Sequence, residues 1–156
     1  MKVADCMITT VYTVDVEALL REAMRLMAEL MIGTLPVIDT DRCLRGVLVM
    51  EDVLTRFMPQ FVEMIRSADF VHDYGVFAAG RQSPQLAEEP IKGLMRSAFY
   101  VTPDSGLMEA LVVMHKHRVP DVPVVNGDEQ VIGLVSQARV GSLFLADWLA
   151  HFPDEE

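Results

Sequence analysis

The chain has 156 residues, of which 51% are hydrophobic, and its formal net charge is −10. A chain of this length and apolar content can bury a core of its own. Because an acidic surface without a basic cluster repels phosphate backbones and anionic lipid headgroups, we expect neither a nucleic acid nor a membrane as a partner.

The beginning of the chain and its cysteines indicate the compartment. Residues 1–5 contain no apolar signal core, and the sequence has no run of 18 apolar residues that could span a bilayer. Cys6 and Cys43 lack the spacing of a metal site or of a disulfide framework. Two thiols in a chain of this length suit a reducing compartment, so we expect a cytoplasmic protein.

The first third of the chain predicts the order strand, helix, strand, strand, helix. These elements cover residues 11–13, 20–31, 35–39 and 44–50 and the region from residue 51. Asp15 is a candidate N-cap for the first helix, and Gly33 is predicted to end it. Between the paired strands, Asp41 favours a turn over residues 40–42.

The next segment, residues 58–90, has a different pattern. Its apolar positions continue one helical face to Ile65, and Pro59 is expected to kink or restart that helix. Residues 70–77 then concentrate aromatic and large apolar side chains, which favours a role in covering a core edge or another subunit. Residues 80–90 are predicted to form an exposed loop.

The last part of the chain repeats the element order of the first. The predicted elements cover residues 99–101, a helix from 107, strands 122–126 and 131–136, and a final helix 137–149. A fixed shift of 87 positions aligns residues 20–52 with residues 107–139 and gives eight identities without a gap. Chance rarely preserves both pattern and spacing over such a length, so the chain contains two copies of one unit.

Each copy contains a Pro-Val strand and then a glycine, a short apolar run and a helix start. The stretch from the glycine to the helix start, which we call the corner segment, covers Gly46–Asp52 in one copy and Gly133–Arg139 in the other. A strand-helix-strand-strand-helix unit with Gly-x-x-[Ser/Thr]-x-x-Asp at its last corner resembles the CBS domain, and two such units resemble a Bateman module. The resemblance implies an α/β fold of two tandem units packed as a pseudo-symmetric pair, with a helical aromatic insert between them. We expect the first unit at 2–57, the insert and linker at 58–90 and the second unit at 91–150.

The same resemblance implies two clefts that bind adenosine-containing ligands such as AMP, ADP, ATP or S-adenosylmethionine, and a homodimer. The chemistry of the corner agrees with this, because a helix N-terminus and an N-cap hydroxyl suit phosphate. An acid one turn later can accept hydrogen bonds from a ribose, and aliphatic residues beside the prolines can sandwich a base. The candidate ligand-binding residues are Asp52, Ser136, Arg139, Leu35, Pro36, Val122, Pro123 and Val101.

Both corner segments depart from the family pattern. The first keeps the acid, Asp52, but has Val49 in place of the hydroxyl, and Glu51 adds a second negative charge. The second keeps the hydroxyl, Ser136, but has Arg139 in place of the acid. We therefore expect the second corner to hold a phosphate and the first to hold a neutral group. The simpler alternatives stay open, namely a charge on the helix dipole, a helix cap and a solvated cation.

The residues indicate a regulatory protein and not an enzyme. The sequence has no nucleophile-base set and no P-loop, and His115 and His117, two apart in a helix, point to different faces and do not readily share a metal. We expect a stand-alone sensor that requires no cofactor, holds an adenine nucleotide and acts on a protein target. The alternative is a ligand-free interaction scaffold with degenerate clefts.

Overall fold

The structure, a computed structural model, describes residues 1–57 and 84–152 of the chain. The helices are α1 Leu20–Leu30, α2 Met50–Phe57, α3 Pro84–Ala87, α4 Leu107–His117 and α5 Gln137–Leu149. The strands are β1 Val14–Asp15, β2 Thr34–Ile38, β3 Leu44–Val49, β4 Arg96–Ser97, β5 Asp121–Val125 and β6 Val131–Ser136. Two short 3-10 helices, Val3–Asp5 and Ile91–Gly93, precede the two halves. The predicted α/β class with a repeated unit is confirmed.

The two copies are equivalent in detail. Helices α1 and α4 each have 11 residues, and each is followed by a residue in the left-handed conformation, Met31 at φ 52° and Arg118 at φ 53°. The hairpins β2–β3 and β5–β6 pair antiparallel in the same register, and each has its irregularity after the same position, Val37 and Val124. An 87-residue shift therefore relates backbone conformation as well as sequence.

Residues 3–8 lead into the first unit and residues 91–97 lead into the second, and we call them the leading segments. Each leading segment pairs with the strands of the other unit. Strand β4, from the second half of the sequence, pairs with β3 at Gly46 and Val47. In the other direction, Ile8 and Leu134 exchange two backbone hydrogen bonds of 2.7 and 2.9 Å. The division of the chain at 2–57, 58–90 and 91–150 stays a prediction, but these leading segments connect the two halves.

Each leading segment also buries an aliphatic side chain in a hydrophobic cluster. Val3 is fully buried in a hydrophobic cluster made mostly of second-half residues, and Ile91 is fully buried in a cluster of first-half residues. Covering one such aliphatic side chain contributes about 1.5–3 kcal/mol. Separating the halves would expose both side chains, so the cores stabilise the pairing of the units.

Several predicted boundaries were wrong. The first strand is Val14–Asp15 and not 11–13, and Asp15 accepts the Glu17 N–H instead of capping α1. The backbone N–H of Leu19, the N-cap position, is held by the Glu22 carboxylate at 3.2 Å. Met31, not Gly33, ends α1, because it takes the left-handed conformation despite its side chain. Local sequence propensity did not predict these boundaries, because they depend on the pairing of β1 with β2 and on the hydrogen bonds that Asp15 and Glu22 accept.

Three further expectations concern the second half and the insert. Of the strand predicted at 99–101, Val101 makes one parallel bridge, to Val124. The predicted loop 80–90 contains helix α3 in its described part. The apolar helical face beyond Phe57, with the Pro59 kink, and the aromatic cluster 70–77 lie outside the described residues.

Candidate ligand-binding clefts

Two clefts lie at equivalent positions in the two halves. The Asp52 cleft, of about 330 Å³, is lined by Asp52, Thr55, Arg56, Gly93 and Leu94. The Arg139 cleft, of about 480 Å³, is lined by Asp5, Cys6, Ala138, Arg139, Ser142, Leu143 and Ala146. The 87-residue shift places Arg139 at the position of Asp52 and Ser142 at that of Thr55. Each cleft thus lies between the last helix of one unit and the leading segment of the other.

The Asp52 carboxylate is held by a guanidinium. Nε and Nη2 of Arg96 donate to its two oxygens at 2.6 and 2.8 Å, and the Nη1 of Arg96 donates to the carbonyl of His117 at 2.5 Å. Both side chains of the ion pair are 27% exposed. The hydrogen bonds that Arg96 donates to Asp52 are the main cause that raises the pKa of Arg96, so the guanidinium stays charged. Such bidentate, partly buried pairs are among the stronger ones in proteins.

The remaining polar groups of the Asp52 cleft also have internal partners. Arg56 pairs with Glu89, with Nη2 at 2.5 Å from Oε1, and the Thr55 hydroxyl donates to the Glu51 carbonyl at 2.7 Å. Arg96 and Arg56 therefore compensate the charges of Asp52 and Glu89. Our expectation that uncompensated negative charge opposes anions here omitted Arg96, which lies 44 residues away in the sequence.

In the Arg139 cleft the charged residue at the helix start is a cation, and it has no ion-pair partner among the described residues. The hydroxyl of Ser136 caps α5 and accepts the Arg139 backbone N–H at 3.2 Å, while the guanidinium lies 3.5 Å from the Cys6 carbonyl. Within residues 1–57 and 84–152, no carboxylate forms an ion pair with Arg139. Burial raises the pKa of the Cys6 thiol, Asp5 adds to the rise and Arg139 opposes it. This cleft therefore contains a cation available to an anion.

The aliphatic candidates do not line either cleft. Leu35 and Val122 are fully buried, Val101 is 2% exposed, and Pro36 and Pro123 are buried as well. They belong to the paired strands and pack in the core, where the Val101 N–H donates to the Pro123 carbonyl at 3.0 Å. Of the predicted residues, the structure thus places Asp52 and Arg139 in cleft walls, and Ser136 at a helix start. A role for the aliphatic residues beside a base stays a prediction.

The first residues of β2 and β5 are both polar. Thr34 and Asp121, which the repeat makes equivalent, begin β2 and β5. Thr34 is 2% exposed and its hydroxyl has no partner at hydrogen-bond distance among the described residues. Burial raises the pKa of Asp121, and the nearby Thr34 hydroxyl lowers it in part. Sequence reasoning missed this pair because nothing in the local pattern marks Asp121 as partly buried.

The described residues were also compared with the requirements of a metal site and of a membrane-spanning helix. No group of three or more His, Cys, Asp or Glu side chains there is arranged to hold a metal ion. No helix of the same residues has the length and apolar character needed to cross a membrane.

Comparison with known proteins gives a consistent result. The sequence model described as "CBS domain" matches residues 3–59 and 91–140. CBSX2 from Arabidopsis thaliana is 22% identical, with 95% of this chain and 96% of that chain covered and a TM-score of 0.70; CBSX2 has also been solved in complex with AMP. The CBS domain pair of protein MJ0100, in complex with 5′-methylthioadenosine and S-adenosyl-L-methionine, is 19% identical over 92% of this chain and 99% of that chain, with a TM-score of 0.66.

Among curated sequences, a homoserine O-acetyltransferase from Methanosarcina acetivorans is 24% identical over 142 residues, which are 91% of this chain. The chain spans 22% and 38% of the length of two curated relatives that it matches.

Proposed function

The chain belongs to the CBS domain family, and we propose that it is a regulatory module that binds an adenosine-containing ligand in the clefts between its two units. The ligand class is that of AMP, ADP, ATP or S-adenosylmethionine. Relatives of the same fold that were solved with AMP, or with methylthioadenosine and S-adenosylmethionine, support this class.

The observation that carries the proposal is the free cation of the Arg139 cleft. Arg139 lies in the first turn of α5, a 13-residue helix that begins after Ser136. The helix start, the Ser136 hydroxyl and the guanidinium offer a phosphate a partial positive charge, an O–H and a planar set of N–H donors. Ser136 still has its own proton to donate while it caps the helix, because its oxygen is the acceptor in that bond. The phosphate end of a nucleotide therefore fits this cleft best.

The regulatory step follows from which units form the walls. Each cleft has one wall from the last helix of a unit and one from the leading segment of the other unit. A ligand that contacts both walls favours one relative position of the two halves. We propose that this change is communicated to a protein target, and that the protein has no catalytic activity of its own. The acetyltransferase relative does not argue against this, since the chain spans 22% of its length.

We also propose a homodimer, with the faces of α4 and α5 in the contact. Six large apolar side chains of this region are exposed to between 57% and 62%: Met108, Val112, Leu145, Trp148, Leu149 and Phe152. In the first half, the positions of Met108 and Val112 are occupied by Arg21 and Arg25. At these two positions the apolar side chains are specific to the second half, and an exposed apolar group of this size favours burial in an assembly.

The second candidate function is an interaction scaffold without a ligand. The Arg96–Asp52 pair favours it, because the acid of the first corner is already bound within the chain. A thermal-shift screen with AMP, ADP, ATP, S-adenosylmethionine and inorganic phosphate separates the two. The sensor predicts a rise in melting temperature with one of the adenosine compounds that phosphate alone does not reproduce. A flat screen together with a stable oligomer supports the scaffold instead.

A further inference from the structure

We propose that Arg96 is an internal occupant of the Asp52 carboxylate in the wall of this cleft, and that a ligand must displace it before the ligand can bind that carboxylate. This inference rests on the proposed function for its ligand, a nucleoside, and it adds the residue that decides whether this cleft is open. It makes Arg96 the specificity-determining residue of the cleft.

The first argument is the geometry of the ion pair. A ribose presents two hydroxyl groups that donate to the oxygens of a carboxylate. Arg96 already donates to both oxygens of Asp52, at 2.6 and 2.8 Å, in a charge-assisted fork. Hydrogen bonds to a charged donor are stronger than those to a neutral hydroxyl. An uncharged nucleoside therefore competes poorly with Arg96 for Asp52.

The second argument is that Arg96 has a second partner, which lies in its own half of the chain. Its Nη1 donates to the carbonyl of His117, the last residue of α4, at 2.5 Å. The His117 ring stacks on Phe99, with centroids 4.1 Å apart, which fixes the end of α4 against the chain that follows β4. Arg96 thus joins the helix start that contains Asp52 to the helix end of the second unit. Its displacement would release this connection, so occupation of the cleft is coupled to the contact between units.

The third argument is that the equivalent cleft lacks this device. The leading segments of the two units are 88 residues apart, as Val3 and Ile91 show. That shift places Ile8 where the second segment has Arg96, and Arg139 takes the place of Asp52. Ile8 carries no charge, and Arg139 has a guanidinium where Asp52 has a carboxylate, so the equivalent ion pair cannot form. The two clefts of one chain therefore differ in kind: one is closed by an internal ion pair, and the other exposes a cation.

The test measures adenosine binding by calorimetry on the full chain. Arg96→Met removes the guanidinium and retains a side chain of similar length. We expect it to tighten adenosine binding at least about tenfold over the unmodified protein. The matched control is Arg45→Met, which removes the guanidinium of another arginine–aspartate pair, Arg45–Asp39, outside the lining of both clefts, and it should leave adenosine binding unchanged. Combining Arg96→Met with Asp52→Asn should abolish the gain, because the amide lacks the charge that the hydroxyls need.

Two results would overturn the inference: no gain in Arg96→Met, or an equal gain in Arg45→Met. Arg96→Lys guards against a folding defect, because its single ammonium retains the charge but cannot reproduce the fork, and it should give an intermediate gain. AMP binding by the unmodified protein is measured in parallel. If AMP binds and adenosine shows no gain, Arg96 is not an occupant and the proposed function stands. If AMP does not bind and Arg96→Met gains adenosine binding that depends on Asp52, the occupant is upheld and nucleotide sensing by the unmodified protein is not.

Discussion

A Cβ atom added to Gly46 would lie 2.7 Å from the backbone carbonyl oxygen of Arg96, closer than real Cβ atoms approach. The equivalent atom on Gly133 would lie 3.1 Å from the carbonyl oxygen of Ile8. Both contacts occur where the leading segment of one unit crosses the strands of the other. Backbone of another segment therefore approaches both glycines closely.

The size of these contacts predicts a ranking of substitutions. Gly46→Ala should lower the free energy of unfolding by about 1–3 kcal/mol, because the strand bearing Arg96 must move. Gly133→Ala should cost less, since its contact is longer. Gly141→Ala is the control: a Cβ there meets no atom within 4 Å, and alanine suits a helix interior. Urea denaturation of the three variants decides the ranking, and equal stability of Gly46→Ala and Gly141→Ala would contradict it.

The Asp121 carboxyl predicts a dependence of stability on pH. Burial raises its pKa in the folded state above the ordinary value of 3.8. A raised carboxyl pKa means that the folded state holds the proton more tightly, so stability is lost as pH rises from the unfolded pKa through the folded pKa. Asp121→Asn should remove this loss. The melting temperature of the variant minus that of the unmodified protein should therefore increase from pH 4 to pH 7, and a constant difference would exclude the effect.

The Arg96–Asp52 ion pair should also be measurable as a coupling energy. A double-mutant cycle with Arg96→Met and Asp52→Asn is expected to give about 0.5–3 kcal/mol, because both side chains are only 27% exposed. Arg21 and Glu88 form the control pair, which is 51% and 54% exposed and should give less than about 1 kcal/mol. Equal coupling in the two cycles would show that burial adds nothing to the Arg96 pair.

The exposed face of α4 and α5 predicts the oligomeric state. Light scattering should give a dimer at micromolar concentration. Val112→Arg, which places at this position the residue type found at Arg25, combined with Leu145→Glu, should convert the dimer to a monomer. Arg25→Glu on α1 is the control and should remain dimeric. A monomeric unmodified protein would refute the prediction, and a dimer in all variants would move the contact to another surface.

The sequence was sufficient for the fold because the repeat is encoded locally. Helical spacing, paired strands and turn residues recur 87 positions apart, and each copy supports the same element order. The hairpin turns illustrate this: Asp39 and Asn126, one in each copy, accept backbone N–H groups two and four residues later. Hydrogen bonds between residues so close in the sequence can be predicted from a short stretch of the chain.

The site was less predictable, because its decisive contacts join distant segments. Asp52 was identified from its motif, yet its partner Arg96 comes from a two-residue strand that no local pattern indicates. Likewise, the motif does not show that Leu35 and Val122 beside the prolines are fully buried in strands, and their contact with a base stays a prediction. Motif spacing places a residue at a helix start but does not show what already occupies it.

The central claim is that the nucleotide binds through the Arg139 cleft, and calorimetry with AMP tests it most directly. The unmodified protein should bind AMP, and a concentration about 100-fold above the dissociation constant should stabilise the fold by about 2.7 kcal/mol. Arg139→Glu should abolish most of this binding, because it places a negative charge beside the phosphate. Asp52→Ala should leave it largely intact. Loss of AMP binding in Asp52→Ala with retention in Arg139→Glu would contradict the account and assign the nucleotide to the other cleft.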